Sequence, residues 1–155
     1  MNYGGTLLVV KDLDRSKRFY REVLGQEVIL DFGANVTLTG GFSLQTLDTW
    51  TGFIGKRERE ILFGANAGEL YFEEEDFDGF LQRLQGMDGV DYVHPVAEHG
   101  WGQRGIRIYD PDKHIIEIGE NMRSVVRRFS RKGLTPEEIA VRMDVPLEYV
   151  ISQLA

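Results

Sequence analysis

The chain has 155 residues, 42% of them hydrophobic and 11% aromatic, enough to build a packed core, so a disordered chain is excluded. No run approaches the roughly 18 apolar residues that a membrane span needs, and the absence of cysteine removes disulfides, thiolate metal sites and a Cys nucleophile. The net charge of -7 is uneven: residues 1–120 carry -9 and residues 121–155 carry +2, an acidic body that argues against nonspecific nucleic-acid binding.

In chain order, Gly5–Lys11 (GTLLVVK) reads as a buried strand. Asp12 caps a helix over Leu13–Leu24 that carries Phe19, Tyr20, Val23 and Leu24 on one stripe, and Gly25 stops it. Three strand-like runs follow, Glu27–Phe32, Asn35–Thr39 and Phe42–Leu47, separated by glycine turns. Residues 48–67 form a connector, with Trp50, Phe53 and Ile54 expected as a core patch beneath it. The order then repeats. Glu69–Glu74 is a strand, Asp76 caps a helix with Phe77, Phe80, Leu81 and Leu84 at helical spacing, and Tyr92–Val96 is a strand. The glycine-rich loop HGWGQRG leads to the strand–turn–strand GIRIYDPDKHIIEIGE. The chain is thus a duplication of strand–helix–three strands, with halves 1–47 and 68–120.

Beyond Asn121 the pattern turns helical. Thr135, Pro136 and Glu138 make a capping box with proline at the first helical position, and Pro146 opens another short helix. Residues 121–155 are therefore a helical extension. Its segment LTPEEIAVRMDVPLEYVISQL resembles a DNA-binding helix-turn-helix, but the second helix, Leu147–Leu154, has no Arg or Lys for phosphates or bases. A packing arm is expected, not a nucleic-acid partner.

The elements LLVVKDLDRSKRFYREVLG and WGQRGIRIYDPDKHIIEIGE resemble the glyoxalase/bleomycin-resistance/extradiol-dioxygenase superfamily, the vicinal oxygen chelate proteins, over residues 1–120. The resemblance implies an α+β fold of two βαβββ modules that form a curved mixed sheet around a pocket. In the superfamily's metalloenzymes the first and last strands of each half supply metal ligands. The matching positions here are Gly5, Gln45, Glu69 and Glu117, of which only Glu117 keeps the family's ligand type. Two carboxylates and an amide oxygen would suit Mg, Mn or Ca better than Zn or Ni.

Glu117 is the candidate for catalysis, and Glu117, Glu69, Gln45, Trp101, Arg104 and Arg107 are the candidate ligand contacts. If a metal binds, Glu69, Glu117 and Gln45 are its ligands. What lies opposite Glu117 depends on the DPDK turn: a two-residue loop places Ile106 there, a bulged loop Arg107. Trp101, Gln103 and Arg104 form an aromatic wall with a cation on a mobile loop, or pack on their own half. His94, His99 and His114 show no metal-ligand spacing among themselves and are expected as a strand-end, a loop and a solvated residue.

The expectation is a cytoplasmic, homodimeric small-molecule-binding protein with no membrane contact and no resident cofactor. The alternatives are a divalent-metal-dependent lyase, isomerase or dioxygenase, and a ligand-sensing regulator that acts through the helical tail.

Overall fold

A computed structural model describes residues 1–155. The chain divides into two compact units, residues 1–68 with 109–115, and residues 69–108 with 116–155. Each contains a four-stranded sheet, and the two sheets repeat one strand order. The fold is α+β, two βαβββ modules followed by three helices.

In the first module, β1 (Leu7–Val10) leads into α1 (Leu13–Leu24). Asp12 caps the helix by accepting from the Arg15 amide, and Gly25 ends it at φ 65°, in the left-handed region that glycine tolerates. β2 (Val28–Asp31), β3 (Asn35–Leu38) and β4 (Ser43–Thr46) complete a sheet of order β1-β4-β3-β2. β1 runs parallel to β4, with Val9 beside Gln45, and the other pairs are antiparallel. Tyr20, Val36, Leu38 and Leu44 are fully buried in this module's core.

α2 (Leu47–Ile54) occupies the start of the connector. The expected core patch is only partly formed there: Leu47 is buried and Trp50 half-buried, but Phe53 and Ile54 are exposed. Phe53 lies off the face that Leu47 and Trp50 turn inward, and Ile54, which shares that face at i+7, is the last residue of the helix before Gly55.

The second module comprises β5 (Glu69–Glu74), α3 (Phe77–Gln85), β6 (Asp91–Glu98), β7 (Arg104–Tyr109) and β8 (Ile115–Glu120), in the sheet order β5-β8-β7-β6. Asp76 caps α3 through the Gly79 amide. Ile106, Ile108, Ile116 and Ile118 alternate into the core with Phe77, Phe80 and Leu84.

The extension forms α4 (Met122–Arg131), α5 (Pro136–Met143) and α6 (Leu147–Leu154). The Thr135–Glu138 capping box is present. Val125, Val126, Phe129, Ile139, Met143 and Val150 form one cluster among the three helices. Although its composition sets it apart, the extension belongs to the same compact unit as the second sheet. None of the helices is long and apolar enough to cross a membrane.

The β7–β8 turn is tied into the first unit by Asp110. One carboxylate oxygen accepts from the amides of Asp112 (2.9 Å) and His114 (2.8 Å); the other accepts from the Tyr20 hydroxyl (3.0 Å) and lies 2.8 Å from His114 Nδ1. His114 is therefore a structural partner, not the solvated residue expected. Asp112, also buried, accepts from the Lys11 amide and from Arg15. Burial, and then the charge of Asp110, raise the Tyr20 hydroxyl well above the usual tyrosine value, so it stays a donor. Tyr20→Phe should cost about 1 kcal/mol in chemical denaturation, because Asp110 keeps its other partners. Asp110→Ala should cost about 3 kcal/mol, because it strands a buried hydroxyl and the turn amides together.

Candidate functional site

The parity of the β7–β8 hairpin decides what Glu117 meets. The Asp110 amide bonds to the His114 carbonyl at 3.0 Å, and the Lys113 amide returns to the Asp110 carbonyl at 3.0 Å. Lys113 adopts φ 70°, so the loop is three residues long with its last residue left-handed. Counting outward from the Asp110–His114 pair places Arg107 opposite Glu117, the bulged alternative of the two that the sequence allowed.

The isoleucines of β7 and β8 point to the helices, and Arg107 and Glu117 therefore point to the other face. β5 presents Glu69 and Tyr71 on this same face. The Arg107 guanidinium bridges the two carboxylates. Its Nε and Nη2 donate to Glu69 at 2.8 and 3.3 Å, and Nη2 also donates to Glu117 at 2.6 Å. Glu117 is 7% exposed. His99 Nε2 lies 3.7 Å from Glu117 Oε1, and His94 Nε2 lies 3.5 Å from Arg107 Nη1. His94 belongs to the body of β6 and not to a strand end.

The HGWGQRG segment forms a hydrogen-bonded hairpin tip. The His99 amide bonds to the Gln103 carbonyl, the Gly102 amide bonds to the His99 carbonyl, and Gly102 takes φ 89°. Only residues 100–102 lie in the tip, and Gly105 is already inside β7. Trp101 stacks on His99 with ring centroids 4.4 Å apart and planes 6° from parallel. Its indole N–H donates to Gln103 Oε1 (3.1 Å), and the Gln103 amide nitrogen donates to the Tyr71 hydroxyl (2.9 Å) and to the Glu120 carbonyl (2.9 Å). Gly119 lies under these groups; a Cβ there would fall 2.9 Å from Gln103 Nε2 and 3.0 Å from the Tyr71 hydroxyl.

The structure thus brings together Glu117, Glu69 and Arg107, with Trp101 joined to them through His99. Arg104 is not among them. It alternates to the helix face, where it binds Glu120 and Asp78 and lies over Phe77. Gln45 belongs to the first unit, where its Oε1 accepts from Asn35 (2.8 Å) and its amide nitrogen donates to Thr49 (2.5 Å). His99 was expected only as a loop residue, because it has no metal-ligand spacing to another histidine, and Tyr71 was not singled out. The period-2 match of Tyr71 with Glu69 was the one available signal. A separate concavity of about 600 Å³ between α3 and β6, lined by Leu81, Leu84, Tyr92 and Val96 among others, holds none of the ligand contacts expected from the sequence.

The two carboxyls titrate in opposite directions. Burial, reinforced by the neighbouring Glu69, raises Glu117 above the usual glutamate range despite Arg107. Hydrogen bonds from Arg107 lower Glu69. A raised Glu117 favours folding most at low pH and loses that contribution as pH climbs through its folded value; a lowered Glu69 contributes above the unfolded value and loses it on acidification. As pH rises from about 4, the stability of the native chain relative to Glu117→Gln should therefore fall, whereas relative to Glu69→Gln it should rise up to about pH 4 to 5 and then level off. Urea denaturation at several pH values measures both slopes, and equal slopes for the two variants would contradict the assignment.

A divalent ion fits this donor set poorly. Within the second unit only the two glutamates stand at the expected ligand positions, and the guanidinium already occupies oxygens of both.

The sequence profile of the glyoxalase-like domain matches residues 3–123. Among solved structures, the chain is similar to a protein of unknown function from Agrobacterium tumefaciens str. C58, at 34% identity over 78% of this chain and 94% of that one, with a TM-score of 0.68. A glyoxalase-related enzyme from Fulvimarina pelagi shares the fold at 19% identity, over 76% of this chain and 87% of that one, with a TM-score of 0.62. So does a lactoylglutathione lyase from Agrobacterium tumefaciens, at 24% identity, over 78% and 94% of the two chains, with a TM-score of 0.58. No curated protein matches the chain. With most of its length inside the profile, and a third of its aligned residues shared with a solved relative, the chain belongs to the family of glyoxalase-like domains.

Proposed function

We propose that the chain binds a small organic molecule on the Glu117 face of its second sheet, with Arg107 in place of a metal ion. The observation that carries this reading is the guanidinium bridging Glu69 and Glu117. Two charges about 4 Å apart at an effective dielectric of about 20 interact by about 4 kcal/mol, so two bare carboxylates side by side need a cation or a proton. Arg107 supplies that cation from within the chain, in a forked geometry suited to carboxylates.

What remains for a ligand is the raised Glu117 carboxyl, the His99 ring backed by Trp101, and the Tyr71 hydroxyl. A planar ligand that offers a hydrogen-bond donor or a positive charge suits this set, since an aromatic wall with few polar groups is the usual composition of such sites. The competing reading is a metal-dependent lyase or isomerase, favoured by the retained Glu117 and by the His99 nitrogen beside it, a pair able to exchange a proton.

Elemental analysis and a thermal-shift screen of planar amines and amidines distinguish the two. Purified without chelator, the protein should hold much less than one equivalent of transition metal. Hits should lose about tenfold in affinity in Glu117→Gln, as for a lost charge-assisted hydrogen bond. A full equivalent of Zn, Ni, Mn or Fe that disappears in Glu117→Gln would overturn the reading in favour of the enzyme.

We also infer a homodimer. β2 is an edge strand with Val28, Ile29 and Leu30 all exposed, and so presents apolar side chains on both faces beside unpaired backbone groups. Light scattering across micromolar concentrations should give twice the chain mass of 17.7 kDa, and a monomer throughout would refute it.

A further inference from the structure

The sequence profile ends at residue 123, so nearly all of α4, and α5 and α6 entirely, lie outside the shared domain. Their side chains nevertheless reach the β6–β7 tip that carries His99 and Trp101. Arg128 donates to the Gly102 carbonyl and, with Arg104, to the buried Glu120 carboxylate. Arg142 donates to the Gly100 carbonyl and, at 3.1 Å, to Glu98. Between these two arginines lies the Phe129 ring, 4.9 Å from the Arg128 guanidinium and 5.6 Å from that of Arg142. The same ring lies under Gly102, where a Cβ would fall 2.3 Å from it. Two backbone carbonyls, one carboxylate and one ring contact thus fix the three-residue tip from the side of the helices. On its other side, the tip holds His99 3.7 Å from Glu117.

We propose that Arg128 and Arg142 are positioning residues for the Glu117 site: through the β6–β7 tip they hold His99 and its Trp101 backing beside the Glu117 carboxylate. The C-terminal helices thereby set the width of the site and the ligand it admits. A tip of this kind, with two glycines, has little conformational preference of its own and needs outside contacts to keep one geometry. Arg142 reaches it with two donors and forms no hydrogen bond or ion pair elsewhere; its one contact with the core of the helices is the face of the Phe129 ring. The proposal rests on the Glu117 face being the ligand site.

The coupling of the helices to the tip is tested without a ligand. The chain has two tryptophans, so Trp50→Phe leaves Trp101 as the sole tryptophan, which excitation at the red edge of the indole band selects over the six tyrosines. In that background Arg142→Ala should raise the acrylamide quenching constant of Trp101 about twofold, as a locally opened segment does. Its His99 ring protons should move downfield in the NMR spectrum as stacking on Trp101 is lost. Glu98→Gln, which alters the same contact from the side of the tip, should shift both signals in the same direction. The double variant should move them by less than the sum, as for residues in one network. Gly102→Ala, driven against Phe129, should act likewise. Unchanged quenching and unchanged His99 resonances in folded Arg142→Ala and Glu98→Gln would overturn the proposal. If these signals move but Glu117→Gln leaves ligand affinity intact, the site assignment falls while the coupling of helices to tip stands. If they do not move while Glu117→Gln weakens binding, the coupling falls alone.

Discussion

The length of the β7–β8 turn is the constraint on which the second sheet depends. Because side chains alternate along a strand, one residue more or less would exchange the two faces of β8 relative to β7. Ile106, Ile108, Ile116 and Ile118 would then no longer share a face, and Arg107 would no longer meet Glu117. Asp110 holds the turn at three residues by engaging two of its amides, and Lys113 completes it in a backbone conformation uncommon for a residue with a side chain. Tyr20 and His114 complete the Asp110 shell, so α1 and the turn are fixed by one buried carboxylate.

From that register follows the charge arrangement of the candidate site. A glutamate facing another glutamate across adjacent strands would be repulsive. The guanidinium one strand further along makes the arrangement favourable, and the two carboxyls share it unequally. Glu69 takes two of its hydrogen bonds and is the more acidic. Glu117 takes one, is more deeply buried, and is raised. That asymmetry leaves Glu117 the more adaptable of the pair, able to act as a donor or an acceptor within a modest pH range. The second arginine of β7, Arg104, makes an equivalent bridge on the opposite face between Glu120 and Asp78. There it joins Arg128 and serves the packing of the helical extension.

Much of this was legible in the residues. The caps at Asp12, Asp76 and Thr135 and the stop at Gly25 are local, and each is satisfied within a few residues of chain, so sequence reports them directly. The duplication was visible because both modules use the same capped helix between the same strands. Register was not legible: DPDK permits two turn lengths, and the choice is made by hydrogen bonds to Asp110. The glycines of HGWGQRG suggested mobility, whereas Gly102 is needed for its backbone angle and for its closeness to Phe129. Arg104 looked like a site cation because adjacency in sequence says nothing about which face a strand residue takes until the register is known. The placement of the helical extension was likewise hidden, since it rests on Arg128, Phe129 and Arg142 meeting a hairpin 26 to 44 residues away in sequence.

The central claim is that Arg107 takes the place of a metal ion between two family ligand positions. Titration calorimetry with Mn²⁺, a cation that accepts carboxylate ligands, tests it most directly when the native chain is compared with Arg107→Leu. The native chain should give no saturable heat at micromolar Mn²⁺. The variant, with both carboxylates released, should bind the ion and give up a proton as it does so, a loss detected by repeating the titration in buffers of different ionisation enthalpy. Stoichiometric Mn²⁺ binding by the native chain, weakened and not strengthened by Arg107→Leu, would contradict the claim.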